Sequence, residues 1–147
     1  MGLHFAYGSN MDRAGMAARC PDARAFGPAR LQGWRFLINQ DGYATITRSA
    51  GALVHGVLWR LTARDRAALD AYESLSSGLY TMRTLPVRAG ARRVPALVYL
   101  GRSRVPGPAL PGYLETVLRA AREWDLPEPY IRAIARCAAH RTTRSTG

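Results

Sequence analysis

The chain has 147 residues, 48% of them hydrophobic, and no apolar run approaches the roughly 20 residues a membrane helix needs. That length suits one compact domain with a single core. The net charge is +11 and every basic residue is arginine, so Schiff-base chemistry and the lysine of a Walker-type phosphate loop are excluded.

Leu3, Phe5 and Tyr7 alternate as a strand requires and run into Gly8-Ser9-Asn10. Gly8 is expected to take backbone angles a side chain would forbid, and Ser9 and Asn10 favour a turn. Such a strand–turn–helix aims several backbone N–H groups at one point, which suits an anion such as a carboxylate. A helix is expected from Met11 to about Cys20, with Asn10 or Asp12 near its N-cap and Pro21 ending it. Strands follow at 23–31, broken at Gly27-Pro28, and at 34–38. After an Asp41-Gly42 turn come strands at 43–47 and 53–61, separated by a turn at Ser49-Ala50-Gly51.

Thr62 caps a helix that reaches Glu73, and Asp65 three residues on makes a near capping box. A helix C-terminus carries partial negative charge, so a carboxylate there is disfavoured as an anion and its pKa is pushed upward. Two readings of Glu73 stand side by side: a solvated helix-end residue, or a functional group in a locally unfavourable place. Beyond it lie strands at 79–87 and 94–100, a Gly- and Pro-rich loop at 101–112, a helix from Tyr113 to Trp124, and a last helix from Pro129 to about Ala139. Residues 1–140 form one domain in this reading, and 141–147 a disordered tail. Many short strands with few strand–helix–strand alternations point to an α+β domain around a closed or nearly closed small sheet.

Cys20 and Cys137 lie far apart, with no CxxC pair and no histidine cluster, so no metal site is expected. The start lacks a secretory pattern, and a cytoplasmic protein with reduced thiols is the expectation. His4, His55 and His140 are scattered and read as structural or solvated. The arginines are dispersed, Arg92-Arg93 being the single adjacent pair. Without a zinc finger, a helix-turn-helix or an RNA-binding aromatic signature, the charge reads as a solvated surface favouring anionic substrates or partners, not nucleic acid.

Several blocks taken in order resemble the γ-glutamylcyclotransferase family. They are Tyr7-Gly8-Ser9-Asn10, Gly42-Tyr43-Ala44-Thr45-Ile46, Gly56 to Leu61, Leu69-Asp70-Ala71-Tyr72-Glu73, Ser77-Gly78-Leu79-Tyr80, Val98-Tyr99-Leu100, and Pro111 through Tyr130. The resemblance covers about residues 3–135. It implies a small mixed, mostly antiparallel β-barrel flanked by helices, cyclisation of a γ-glutamyl group to 5-oxoproline with release of an amine, and no metal or organic cofactor. It implies Glu73 as the acid/base carboxylate. It also implies Tyr7, Gly8, Ser9 and Asn10 as the loop holding the glutamyl end, and Tyr99 and Tyr80 as substrate-binding residues. A homodimer is compatible with the family and is not legible in the sequence itself. The leaving group stays open among amino acids, ε-lysine and acylamines. Glutathione is less favoured, because that group's N-terminal turn usually differs from this one. The rival readings are a non-catalytic small-molecule binding module of the same fold and a basic nucleic-acid-binding domain.

Overall fold

The computed structural model describes residues 2–73 and 78–145. Five strands, β1 (Gly2–Ala6), β2 (Arg24–Ile38), β3 (Ala44–Leu61), β4 (Tyr80–Ala89) and β5 (Arg92–Gly101), close into a barrel in the order β1-β3-β2-β4-β5. Neighbours are antiparallel except β1 and β5, which run parallel where His4 meets Leu97. Phe5, Ile46, Val57, Leu58 and Val98 are fully buried; Val57 and Leu58 are adjacent in β3 and point to opposite faces, so both faces of that strand are covered. The barrel is thus mixed and mostly antiparallel, with helices α1 (Arg13–Arg19), α2 (Ala63–Tyr72), α3 (Tyr113–Glu123) and α4 (Glu128–Ser145) outside it.

Two expected breaks in the sheet are not breaks. The segments 23–31 and 34–38 are one strand, β2, and 43–47 and 53–61 are one strand, β3. Gly51, which reads as part of a turn, lies instead in an irregularity within an unbroken ladder. The register jumps between the pairs Gln32–Leu53 and Trp34–Arg48, with Gly33 and Gly51 at φ of +87° and +80° in the bulge. These angles suit glycine and few other residues. At Gly56 the reason is space: an added Cβ would lie 2.2 Å from the Ala6 carbonyl oxygen, so β1 and β3 approach closely only because that position is bare.

The expected helix at 11–20 divides into a 3-10 turn, Ser9–Met11, and α1. Asp12 is the cap, its carboxylate accepting the Gly15 N–H at 2.9 Å, which frees Asn10 for another task. At the far end, α4 continues to Ser145, beyond the stop expected near Ala139. No glycine or proline interrupts the sequence between Pro129 and Gly147. The Trp124 indole N–H donates to the Met11 carbonyl at 2.7 Å, and Trp124 packs edge-on to Trp59 at 5.8 Å. The end of α3 therefore pins the 3-10 turn to the barrel.

Candidate active site

Thr62 and Asp65 form a complete capping box. The Asp65 N–H donates to the Thr62 hydroxyl at 3.1 Å, and the Thr62 N–H donates to the Asp65 carboxylate at 3.4 Å. This starts α2 at a fixed residue and so sets where it ends. Glu73 is its C-cap, with its N–H on the Leu69 carbonyl at 2.9 Å. The side chain turns inward and is only 9% exposed. There Asn10 Nδ2 donates to Glu73 Oε1 at 2.8 Å, and Arg19 donates to Asn10 Oδ1 at 3.0 Å. The chain Arg19–Asn10–Glu73 fixes both the orientation of the amide and the position of the carboxylate. Arg19 is itself held over the Tyr72 ring, 4.0 Å from its centroid.

Burial lifts the Glu73 carboxyl from 4.5 to about 7, while the Asn10 hydrogen bond and the charge of Arg19 pull the other way. Desolvation wins because the carboxylate has lost most of its water and the cation acts through Asn10, not by direct pairing. The group is therefore close to half-ionised at neutral pH, where a side chain can take a proton and return it.

Glu73 opens on a cavity of about 170 Å³ at the mouth of the barrel. Tyr7, Gly8, Ser9, Asn10, Tyr80 and Tyr99 line the same cavity, so the structure brings together all seven residues singled out from the sequence. Of the block Ser77–Tyr80, Ser77 lies outside the described residues. The 3-10 turn has no side-chain cap, and Gly8, Ser9 and Asn10 at its head line the cavity. Gly8 has φ −118° and ψ −136°, outside the helical and extended regions, and it also gives room: a Cβ would sit 2.9 Å from the Tyr113 hydroxyl and 3.4 Å from Ala44 Cβ. The Tyr7 hydroxyl donates to the Tyr99 carbonyl, and the Tyr99 hydroxyl donates to Asp70, one turn before Glu73 on α2.

Sequence reasoning passed over His4, Tyr43, Asp70, Tyr72 and Tyr113. His4 is buried, with Nδ1 3.1 Å from the Leu97 carbonyl oxygen and Nε2 without a partner. A carbonyl only accepts, so Nδ1 carries the proton, and burial lowers the pKa to about 4, keeping the ring neutral. Tyr43 lies edge-on to Tyr113 at 5.3 Å and 6.4 Å from Tyr80, and the Tyr113 hydroxyl accepts the Ala44 N–H at 3.2 Å. Burial pushes Tyr113 up to about 12 and moves Tyr7, Tyr80 and Tyr99 upward as well. Six of the seven tyrosines line this one cavity. Their positions at the ends of separate elements were the available signal, but only a tertiary structure joins them. Trp34 and Trp59 are buried core residues as expected, and Arg83 is exposed, away from the cavity.

A closed barrel with a half-ionised carboxylate and a ring of phenols at its mouth defines a small-molecule enzyme. The model of the family described as gamma-glutamyl cyclotransferase, AIG2-like, matches residues 4–124. The chain is 30% identical over 139 residues to human gamma-glutamylcyclotransferase, covering 87% of this chain and 74% of that protein. It is 31% identical over 140 residues to the Mus musculus protein of the same name, with the same coverage. A solved structure of a gamma-glutamyl cyclotransferase aligns with TM-score 0.83 at 29% identity, covering 90% of this chain and 85% of that one. The chain belongs to the γ-glutamyl cyclotransferase, AIG2-like family.

Proposed function

We propose that the protein converts a γ-glutamyl amine to 5-oxoproline and the free amine, with Glu73 as the general acid/base. The observation that carries this reading is the buried Glu73 carboxylate, held by Asn10 at the edge of a tyrosine-lined cavity. The substrate's α-amino nitrogen attacks its own γ-carbonyl carbon, so the enzyme's main task is to hold one conformer. Glu73 takes a proton from that nitrogen as the new C–N bond forms. It then gives the proton to the leaving nitrogen as the old C–N bond breaks. The N–H groups at the head of the 3-10 turn suit the substrate's α-carboxylate, and the hydroxyls of Tyr80 and Tyr113 suit the oxyanion of the tetrahedral intermediate.

The leaving group is an amino acid, a lysine ε-amine or an acylamine. The loops at 39–43 and 101–112 are the natural determinants of that choice. They are tied to each other through Gln40 N–H to the Val105 carbonyl at 2.7 Å and Leu110 N–H to the Gly42 carbonyl at 3.1 Å, and they flank the cavity residues Tyr43 and Tyr113. The purified protein, given a panel of γ-glutamyl amino acids, amines and glutathione, should release 5-oxoproline detectable by mass spectrometry, and Glu73→Gln should not. Equal product from both proteins would remove Glu73 from the mechanism, and no product from any member would leave an acylamine substrate or a binding role.

A further inference from the structure

A second recess lies on the barrel wall and shares no lining residue with the first. Its volume is about 270 Å³, and its lining includes Arg30, Arg48, Arg88, Arg93, Gln32 and Trp34 but no Asp or Glu. The arginines are placed by sheet register. Arg30 faces Arg88 across β2 and β4, and Arg88 faces Arg93 across β4 and β5, so three guanidinium groups stand in one row over three strands. Like charges directly opposite one another destabilise a sheet. No carboxylate lines the recess among the described residues, and β2 through β5 carry nine arginines and no Asp or Glu. Trp34 is buried, with the Arg48 guanidinium 5.3 Å and the Arg83 guanidinium 5.9 Å from its ring. A locally unfavourable pattern around a concave site is the signature of a missing counter-charge.

We propose that this recess binds a compact oligophosphate, two or three linked phosphoryl groups, at a site separate from the catalytic cavity. Guanidinium forks match phosphoryl oxygens two by two and stay charged at any physiological pH. Four arginines around one recess outnumber what a single carboxylate or orthophosphate can neutralise, whereas a linked phosphate chain carries several charges in the same small volume. The ring of Trp34 is already covered, so no open aromatic face is offered to a nucleobase, and recognition falls on the phosphate chain. That chain could come from inorganic polyphosphate or from the tail of a nucleotide.

The test is calorimetric titration of the full-length protein with tripolyphosphate, orthophosphate, ATP and a single-stranded oligonucleotide, at low and at physiological salt. Two double variants have the same net charge: Arg30→Gln/Arg88→Gln in the recess, and Arg24→Gln/Arg60→Gln at another cross-strand pair. The expectation is saturable one-to-one binding of tripolyphosphate, at least tenfold tighter than orthophosphate. The recess variant should weaken it about tenfold or more, and the other variant should leave it near wild type. ATP binding as tightly as tripolyphosphate identifies the phosphate tail as sufficient; ATP binding more weakly identifies the inorganic chain as the better source. The single variant Arg88→Gln should melt no lower than wild type without ligand, since a like-charge contact is relieved, and should lose part of the ligand-induced rise in Tm. Cyclotransferase turnover should be unchanged in both double variants. Absence of saturable tripolyphosphate binding, equal losses in the two double variants, or binding of the oligonucleotide alone would each overturn the proposal.

Discussion

Glu73→Gln should make the protein more stable while removing its activity, and the gain should depend on pH. The carboxyl is raised from 4.5 to about 7 by burial. A group raised in the folded state contributes stability that is fully present below its unfolded pKa and is lost as pH rises through the folded value. Ionised Glu73 therefore withholds stability progressively between about pH 4.5 and 7. At 1.36 kcal/mol per tenfold, the loss at pH 8 is about 3 kcal/mol. Gln is neutral, nearly isosteric, and keeps an oxygen to accept from Asn10, so it removes the penalty and preserves the hydrogen bond. At this chain length about 3 kcal/mol corresponds to a rise in Tm of roughly 6–10 °C. Thermal melts of both proteins from pH 4.5 to 8.5 test this. The curves should coincide at the acid end and separate steadily toward pH 8. A pH-independent difference, or a variant less stable than wild type at pH 8, would refute the claim that desolvation dominates this site.

Two further substitutions probe the surroundings of Glu73. Asn10→Ala removes the hydrogen bond that favours the ionised carboxylate and leaves Arg19 without its acceptor. The rising limb of the kcat/KM profile, near pH 7 in the wild type, should move to higher pH, and the protein should lose about 1–3 kcal/mol in denaturant unfolding. An unshifted profile would separate Asn10 from the carboxylate. Gly8→Ala drives a methyl group to 2.9 Å from the Tyr113 hydroxyl, so KM should rise several-fold. Adding Tyr113→Phe removes the clashing oxygen and should restore part of the loss, whereas a further loss in the double variant would rule out the steric account.

What the sequence makes legible here is what short-range chemistry determines. The capping box at Thr62 and Asp65 lies within four residues, so the start of α2 and the anomalous position of Glu73 at its end can be read directly. The turn after β1 is similarly local. The continuity of β3 is not local, because Gly51 looks like a turn residue until the partner strand β2 shows it to lie in a bulge. Asn10 is the clearest instance at the site. Its sequence position suggests a helix cap, but Asp12 takes that role and Asn10 instead reaches a carboxylate 63 residues away. Tyr43 and Tyr113 belong to the cavity only because two loops are tied together. His4, which reads as a scattered histidine, lies beside Tyr99 only because β1 meets β5.

That meeting of β1 and β5 also governs when the protein becomes functional. β1 is made first, yet it is the strand that shuts the barrel, and its contact at His4 and Leu97 spans 93 residues. The cavity-lining turn Tyr7–Asn10 follows this closing strand, while Glu73, Tyr99 and Tyr113 come from segments synthesised later. A chain with β2 through β5 assembled but β1 undocked has most of its secondary structure and no assembled pocket. Closure of such a distant contact is a slow event by loop entropy. Recovery of turnover during refolding should therefore trail recovery of the far-ultraviolet signal, making catalysis itself the reporter of barrel closure.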